Sequence, residues 1–203
     1  MRHDGLLIDF GGVLTSNVFE SFAAFCRSEG LDPDTVRDRF MQDQAARDLL
    51  GELEEGRISN AEFERRFAPM LGVEQPEGLI AKLFAGMQHD EAMFDAVAAA
   101  RRAGVRTGLV SNSWGEEGYD RTRFDELFDV LVISGEIGIR KPEPEIYMLA
   151  AERLDRDPEQ IVFVDDLPGN LKPARALGMA TVLHRDAAQT IAELEEHLAV
   201  SLR

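Results

Sequence analysis

The chain has 203 residues with 22 basic and 38 acidic side chains, a net charge of −16, and 44% hydrophobic residues, enough to bury a core. That composition excludes a disordered acidic tail and argues against a nucleic-acid partner, which needs a basic face. A single cysteine, Cys26, rules out a disulfide framework or a Cys-rich zinc site, and no apolar run is long enough to span a membrane.

The start, Met1-Arg2-His3-Asp4, lacks the apolar stretch of a signal peptide. A cytoplasmic enzyme or binding protein of one or two domains is expected, with monomer and homodimer both open. Cys26 reads as a small hydrophobe on a helix. The chain holds three lysines, Lys82, Lys141 and Lys172.

The first element is an apolar run, Gly5 to Ile8, closed by Asp9 and the pair Gly11-Gly12. Apolar residues without alternation predict a strand buried on both faces, as in a parallel sheet. Residues 17–88 contain no comparable run. They carry helix signals instead: Phe19, Phe22, Ala23 and Cys26 at helical spacing, Asp34 before a further helix, and Ser59-Asn60-Ala61-Glu62 as a capping box. Asp90 caps a predicted helix that runs to Ala103 and stops at Gly104. Apolar runs then recur at Val105 to Val110, Val130 to Ile133, Ile161 to Val164 and, more weakly, Ala180 to Leu183. Lys141-Pro142 opens a predicted helix reaching Leu154, and Gln189 to Val200 forms a last amphipathic one. The alternation predicts a doubly wound α/β core from 1–16 and 89–203, interrupted by an all-helical insertion at 17–88.

Polar groups gather at the strand ends, where open α/β sheets keep their sites. Asp9 follows the first strand, Ser111 and Asn112 the second, Lys141 the third past a loop, and Asp165 with Asp166 the fourth. Each alone reads as a cap or turn residue; together they predict a site. Three carboxylates at one edge call for a metal, and an all-oxygen set favours Mg²⁺.

Four segments now stand in order: Asp9-Phe10-Gly11-Gly12-Val13-Leu14-Thr15, Leu109-Val110-Ser111-Asn112-Ser113, Lys141-Pro142-Glu143-Pro144 and Phe163-Val164-Asp165-Asp166-Leu167-Pro168-Gly169-Asn170. In these the sequence resembles the haloacid dehalogenase-like hydrolase superfamily, in the branch with a helical cap inserted after the first motif. The style of the second and fourth segments resembles the epoxide-hydrolase N-terminal phosphatase subgroup. The resemblance implies a Rossmann-like sheet of order 3-2-1-4-5 with residues 17–88 as the cap. It also implies a Mg²⁺-dependent phosphatase for a small phosphorylated metabolite. Asp9 would attack phosphorus to give an aspartyl-phosphate. Asp9, the backbone carbonyl of Gly11, Asp166 and Asp165 would hold the metal. Ser111, Asn112, Lys141 and the Gly11-Gly12 turn would bind phosphate, with Asn170 orienting its neighbours.

One departure stands out. The superfamily's phosphatases usually carry a second Asp two positions after the nucleophile, as the acid and base; here that position is Gly11. Three readings follow: a phosphatase for a substrate with a good leaving group, a 2-haloacid dehalogenase, or a protein that binds a phosphorylated ligand or partner without efficient turnover. His89, near the return from insertion to core, is the one histidine bordering the expected site, although an exposed loop residue is the simpler reading. The loop from Trp114 to Tyr119 contacts substrate or packs beneath itself, and Lys172 faces either the site or solvent.

Overall fold

The computed structural model describes residues 3–115, 119 and 121–202. Five parallel strands, β1 (Gly5–Ile8), β2 (Arg106–Ser111), β3 (Val130–Ile133), β4 (Ile161–Asp165) and β5 (Ala180–Leu183), form one sheet in the order β3-β2-β1-β4-β5. The expected order therefore holds, and the winding reverses between β1 and β4. Register is in step across that seam, with Ile8 opposite Val164 on one side and Leu109 on the other. The next residue along β1 is Asp9, so its carboxylate emerges beside Asp165.

Alternate residues of β1 enter opposite cores, which explains the continuous apolar run. Leu6 and Ile8 join Met93, Phe94 and Val97 on one face. Leu7 joins Tyr147, Leu154 and Phe163 on the other. The first of these cores is closed by α6 (Glu91–Arg102), and the second by α9 (Pro144–Leu154) and α10 (Pro168–Ala176).

Residues 17–88 contain five helices: α1 (Val18–Ser28), α2 (Thr35–Gln42), α3 (Gln44–Glu54), α4 (Asn60–Leu71) and α5 (Leu79–Phe84). They enclose their own apolar cluster, which includes Phe22, Phe40, Phe63, Phe67 and the buried Cys26. Burial raises the Cys26 thiol above its ordinary value, so it is a poor nucleophile. Ser59 accepts from Glu62 N at 3.2 Å to cap α4, one half of the capping box expected there. The insertion leaves and rejoins the sheet side by side: Thr15 pairs with His89 in an isolated antiparallel bridge.

Four helix boundaries differ from expectation, among them the end of the last helix, at Leu198 rather than Val200. The helix after the third strand starts at Pro144 rather than Lys141-Pro142, because a residue before proline is driven out of the helical region. Glu143 is accordingly extended at ψ 129°, which leaves Lys141 in the preceding turn. The last helix, α11 (Ala187–Leu198), begins two residues early because Asp186 caps it by accepting from Gln189 N. Asp90 caps α6 as expected, and that helix ends one residue short, at Arg102. The remaining short helices are α7 (Phe124–Leu127) and α8 (Ser134–Ile137). Among the described residues no helix is long and apolar enough to cross a membrane.

Candidate active site

Lys141 is the centre of the site. Its side chain is 1% exposed, and Nζ lies 2.8 Å from Asp9 Oδ1 and 2.7 Å from Asp165 Oδ2. A buried ammonium is held here only because two carboxylates face it. Their attraction outweighs desolvation and raises the lysine above its ordinary pKa. Asp9 moves the other way. Burial lifts it well above the usual carboxylate range, Lys141 opposes the lift, and Asp165 and Asp166 add to it.

The two oxygens of Asp9 differ. Oδ1 accepts from Lys141 and from Phe10 N at 2.7 Å, whereas Oδ2 accepts no hydrogen bond from the described residues. Asp165 is fully engaged: Oδ1 accepts from Leu167 N and Asn170 Nδ2, and Oδ2 from Lys141 Nζ and Asn170 Nδ2. Those four contacts fill the lone pairs of a carboxylate. Asp166 is half-buried, and burial together with Asp165 raises it to about 6. The three carboxylates offer oxygens within 4.8 Å of one another. One ammonium among three carboxylates leaves two negative charges uncompensated. An all-oxygen donor set with that deficit fits a hard divalent cation such as Mg²⁺.

The turn after β1 is tight. Leu14 N bonds back to Phe10 O, and Gly12 N donates to Thr15 Oγ1 at 3.0 Å. Gly12 has φ +76°, and a Cβ there would lie 2.5 Å from Asp166 Oδ2. Gly11 is different: its φ is not positive, and among the described residues a Cβ would meet Val18 alone, at 3.3 Å. The backbone therefore requires glycine at 12 but not at 11.

Ser111 is buried at the end of β2, with Oγ 2.9 Å from the Tyr119 hydroxyl. Burial pushes that phenol up to about 12. Asn112 spends its amide on Lys141: Oδ1 accepts from Lys141 N at 2.8 Å, and Nδ2 donates to Lys141 O at 3.0 Å. It is therefore placed to hold Lys141. Asn170, on α10, holds Asp165 in the same way.

Other expected contributors fall elsewhere. His89 is exposed, with its ring against Phe10 and Phe94 in the linker. Lys172 is exposed on α10. Trp114, from the loop after β2, inserts half-buried between Phe22, Phe40, Phe63 and Phe84 of the insertion, with ring centroids 5.1–5.8 Å apart. Tyr119 lies at the site, while 116–118 and 120 lie outside the described residues. Sequence reading missed Glu54, which accepts from Asn112 across the boundary of the insertion, and Arg140, which pairs with Glu54.

A haloacid dehalogenase-like hydrolase family model matches residues 3–178, and the chain belongs to that family of enzymes. The bifunctional epoxide hydrolase 2 of Rattus norvegicus is 35% identical over 144 residues, which are 65% of this chain and 26% of that one. The match thus spans about a quarter of that longer relative. The D-ribitol-5-phosphate phosphatase of Bacteroides thetaiotaomicron is 26% identical over 201 residues, 93% of this chain and 95% of that one. A haloacid dehalogenase family enzyme of Bacteroides thetaiotaomicron, crystallised as an Asp-to-Ala mutant with magnesium and inorganic phosphate, is similar at TM-score 0.71 and 26% identity. That likeness covers 90% of this chain and 94% of that one.

Proposed function

We propose that this hydrolase is a Mg²⁺-dependent phosphatase for a small phosphorylated metabolite, with Asp9 as nucleophile. The observation that carries the reading is the shared ammonium of Lys141. It fixes one oxygen of Asp9 and leaves Oδ2, at the switch point of the sheet, with no hydrogen bond from the described residues. Residues 1–16 and 89–203 serve as the catalytic core and 17–88 as a cap that shields the site from water.

Asp9 Oδ2 attacks phosphorus and forms an aspartyl-phosphate while the leaving oxygen departs with its electron pair. Water then attacks phosphorus, the O–P bond to Asp9 breaks, and inorganic phosphate is released. Lys141 and Ser111 stabilise the phosphoryl charge, aided by backbone N–H groups of the turn at Gly11 and Gly12. Asp9, the Gly11 carbonyl and Asp166 would hold Mg²⁺, which neutralises charge on the carboxylates and the phosphoryl group. Asp165, its oxygens already engaged, holds Lys141 rather than the metal. Asn112 and Asn170 hold Lys141 and Asp165 in turn.

Gly11 leaves the leaving group without an acid from this position, which favours aryl, acyl or anomeric sugar phosphates. The same observation supports a second reading, a protein that binds a phosphorylated ligand with little turnover. A 2-haloacid dehalogenase fits less well, since its chemistry makes no use of three clustered carboxylates. The deciding experiment is a screen of phosphate esters with and without Mg²⁺, with halide release scored in parallel. Metal-dependent phosphate release that Asp9→Asn abolishes supports the proposal. Activity surviving in that variant, or none on any ester with the metal bound, overturns it.

A further inference from the structure

We propose that Glu54, in the helical insertion, is a positioning residue for Lys141. It acts through Asn112, so that seating the insertion fixes the ammonium between Asp9 and Asp165. The meaning of any change in turnover rests on the phosphatase reading; the placement of Lys141 does not.

Glu54 ends α3, and its side chain is only 8% exposed. Oε2 accepts from Arg140 Nη1 at 2.6 Å and from Asn112 Nδ2 at 3.2 Å. Its backbone carbonyl accepts from Ser134 Oγ, which in turn accepts from Ser113 N at 2.8 Å. A single residue of the insertion thus grips the loops that follow β2 and β3.

The amide of Asn112 explains the reach of this contact. Nδ2 carries two hydrogens: one goes to Lys141 O, and the second finds its acceptor in Glu54. Oδ1 then has to face Lys141 N, where it accepts at 2.8 Å. The lysine backbone is clamped at both of its polar groups. That clamp matters because four flexible carbons separate it from Nζ.

Glu54 makes a poor choice as mere glue. A buried carboxylate is costly to desolvate, and apolar packing joins surfaces more favourably. The insertion already has such an anchor in Trp114. Arg140 keeps a second partner in Glu55, at 3.3 Å. What Glu54 adds is a directed acceptor for Asn112.

The test compares the wild type with Glu54→Met, Glu54→Gln and Arg140→Met. Methionine removes the acceptor at similar volume, glutamine restores it, and Arg140→Met cuts the ion pair while leaving the contact to Asn112. Lysine acylation is followed by peptide mass spectrometry well below each melting temperature, with the exposed Lys82 and Lys172 as internal references. Lys141 is expected to be protected in the wild type, Glu54→Gln and Arg140→Met, and labelled several-fold faster in Glu54→Met. The kcat per folded molecule is expected to fall roughly 10-fold in Glu54→Met, with a smaller change in KM, and to recover in Glu54→Gln.

Unchanged protection of Lys141 in folded Glu54→Met overturns the proposal. So does equal exposure in Arg140→Met, which would mean that a loosened insertion is sufficient. If Glu54→Met fails to fold, Glu54→Ala provides the same cut. A wild type that hydrolyses no phosphate ester overturns the phosphatase reading alone, because the labelling result stands without it.

Discussion

Gly12 and Asp166 exclude each other's alternatives: a side-chain carbon on Gly12 would lie 2.5 Å from Oδ2 of Asp166. Any residue larger than glycine at 12 must move the carboxylate proposed to hold the metal. It must also accept a φ of +76°, which costs an L-residue roughly 1–2 kcal/mol. Gly12→Ala should lower the melting temperature and weaken Mg²⁺ dependence at least about 10-fold. Gly11→Ala, without positive φ or a close neighbour other than Val18, should change both far less. Melting curves and metal titrations of the two variants check the contrast.

Gly11 has no positive φ, and a Cβ there needs only a shift of a few tenths of an ångström by the Val18 side chain 3.3 Å away, which makes a gain of function testable. General acid–base assistance is typically worth about 10²–10⁴ in rate. Gly11→Asp should therefore raise hydrolysis of alkyl phosphates more than that of aryl phosphates, whose leaving groups need less protonation. Steady-state kinetics on a matched ester pair measures this. Equal effects on both would show that leaving-group protonation is not what position 11 lacks.

Lys141→Met leaves Asp9 and Asp165 buried without their shared cation. Losing one partner of a buried ion pair costs about 3–5 kcal/mol, and a loss in that range is expected near neutral pH. With the ammonium gone, nothing opposes the lift that burial gives Asp9, which holds its proton more tightly in the folded variant than in the unfolded chain. Stability relative to the wild type is then best preserved at low pH and lost as pH rises through the raised pKa of Asp9. Urea unfolding at about pH 5 and about pH 8 should show the larger deficit at the higher pH.

His184 gives the opposite sign. Burial lowers its pKa below 6.5, while Asp90 and Asp186 only partly offset this. The neutral ring is 2.9 Å from Thr190 Oγ1. A depressed pKa contributes stability that is present above the unfolded value and lost as pH falls through the folded one. The stability difference between the wild type and His184→Gln should shrink on acidification below 6.5. A difference independent of pH would mean that the ring titrates alike in the folded and unfolded chain.

Trp114 is the one tryptophan in the chain, so its emission reports on the contact between the insertion and the loop after β2. Conditions that lift the insertion should shift its emission to the red before the sheet unfolds, as read by circular dichroism. Trp114→Ala should destabilise by up to about 3 kcal/mol, less than a fully buried aromatic would, because the ring is half-buried.

Much of this was legible in the residues. The apolar runs identify all five strands, with boundaries shifted by a residue at most, since burial on both faces leaves a continuous pattern that needs no knowledge of partners. The polar residues closing those runs name Asp9, Ser111, Lys141, Asp165 and Asp166. Helix starts were less secure: Pro142 and Pro144 compete to open the same helix, and the conformation forced on Glu143 decides between them. Glu54 carried no signal. It ends an amphipathic helix between Glu52 and Glu55, and nothing local distinguishes the buried one.

The fold class, the order of the four motifs and the glycine where an acid is usual all follow from the residues along the chain. Those properties depend on side-chain type and on spacing along a strand or turn. Packing is what leaves Asp9 Oδ2 without a hydrogen bond from the described residues, engages Asp165 with Lys141, Asn170 and Leu167, and links Lys141 to Glu54 through Asn112. Hydrogen bonds span a few ångströms and have direction, whereas Glu54 and Asn112 lie 58 positions apart and Lys141 another 29 beyond. No local pattern encodes such a meeting; packing the insertion against the sheet edge creates it.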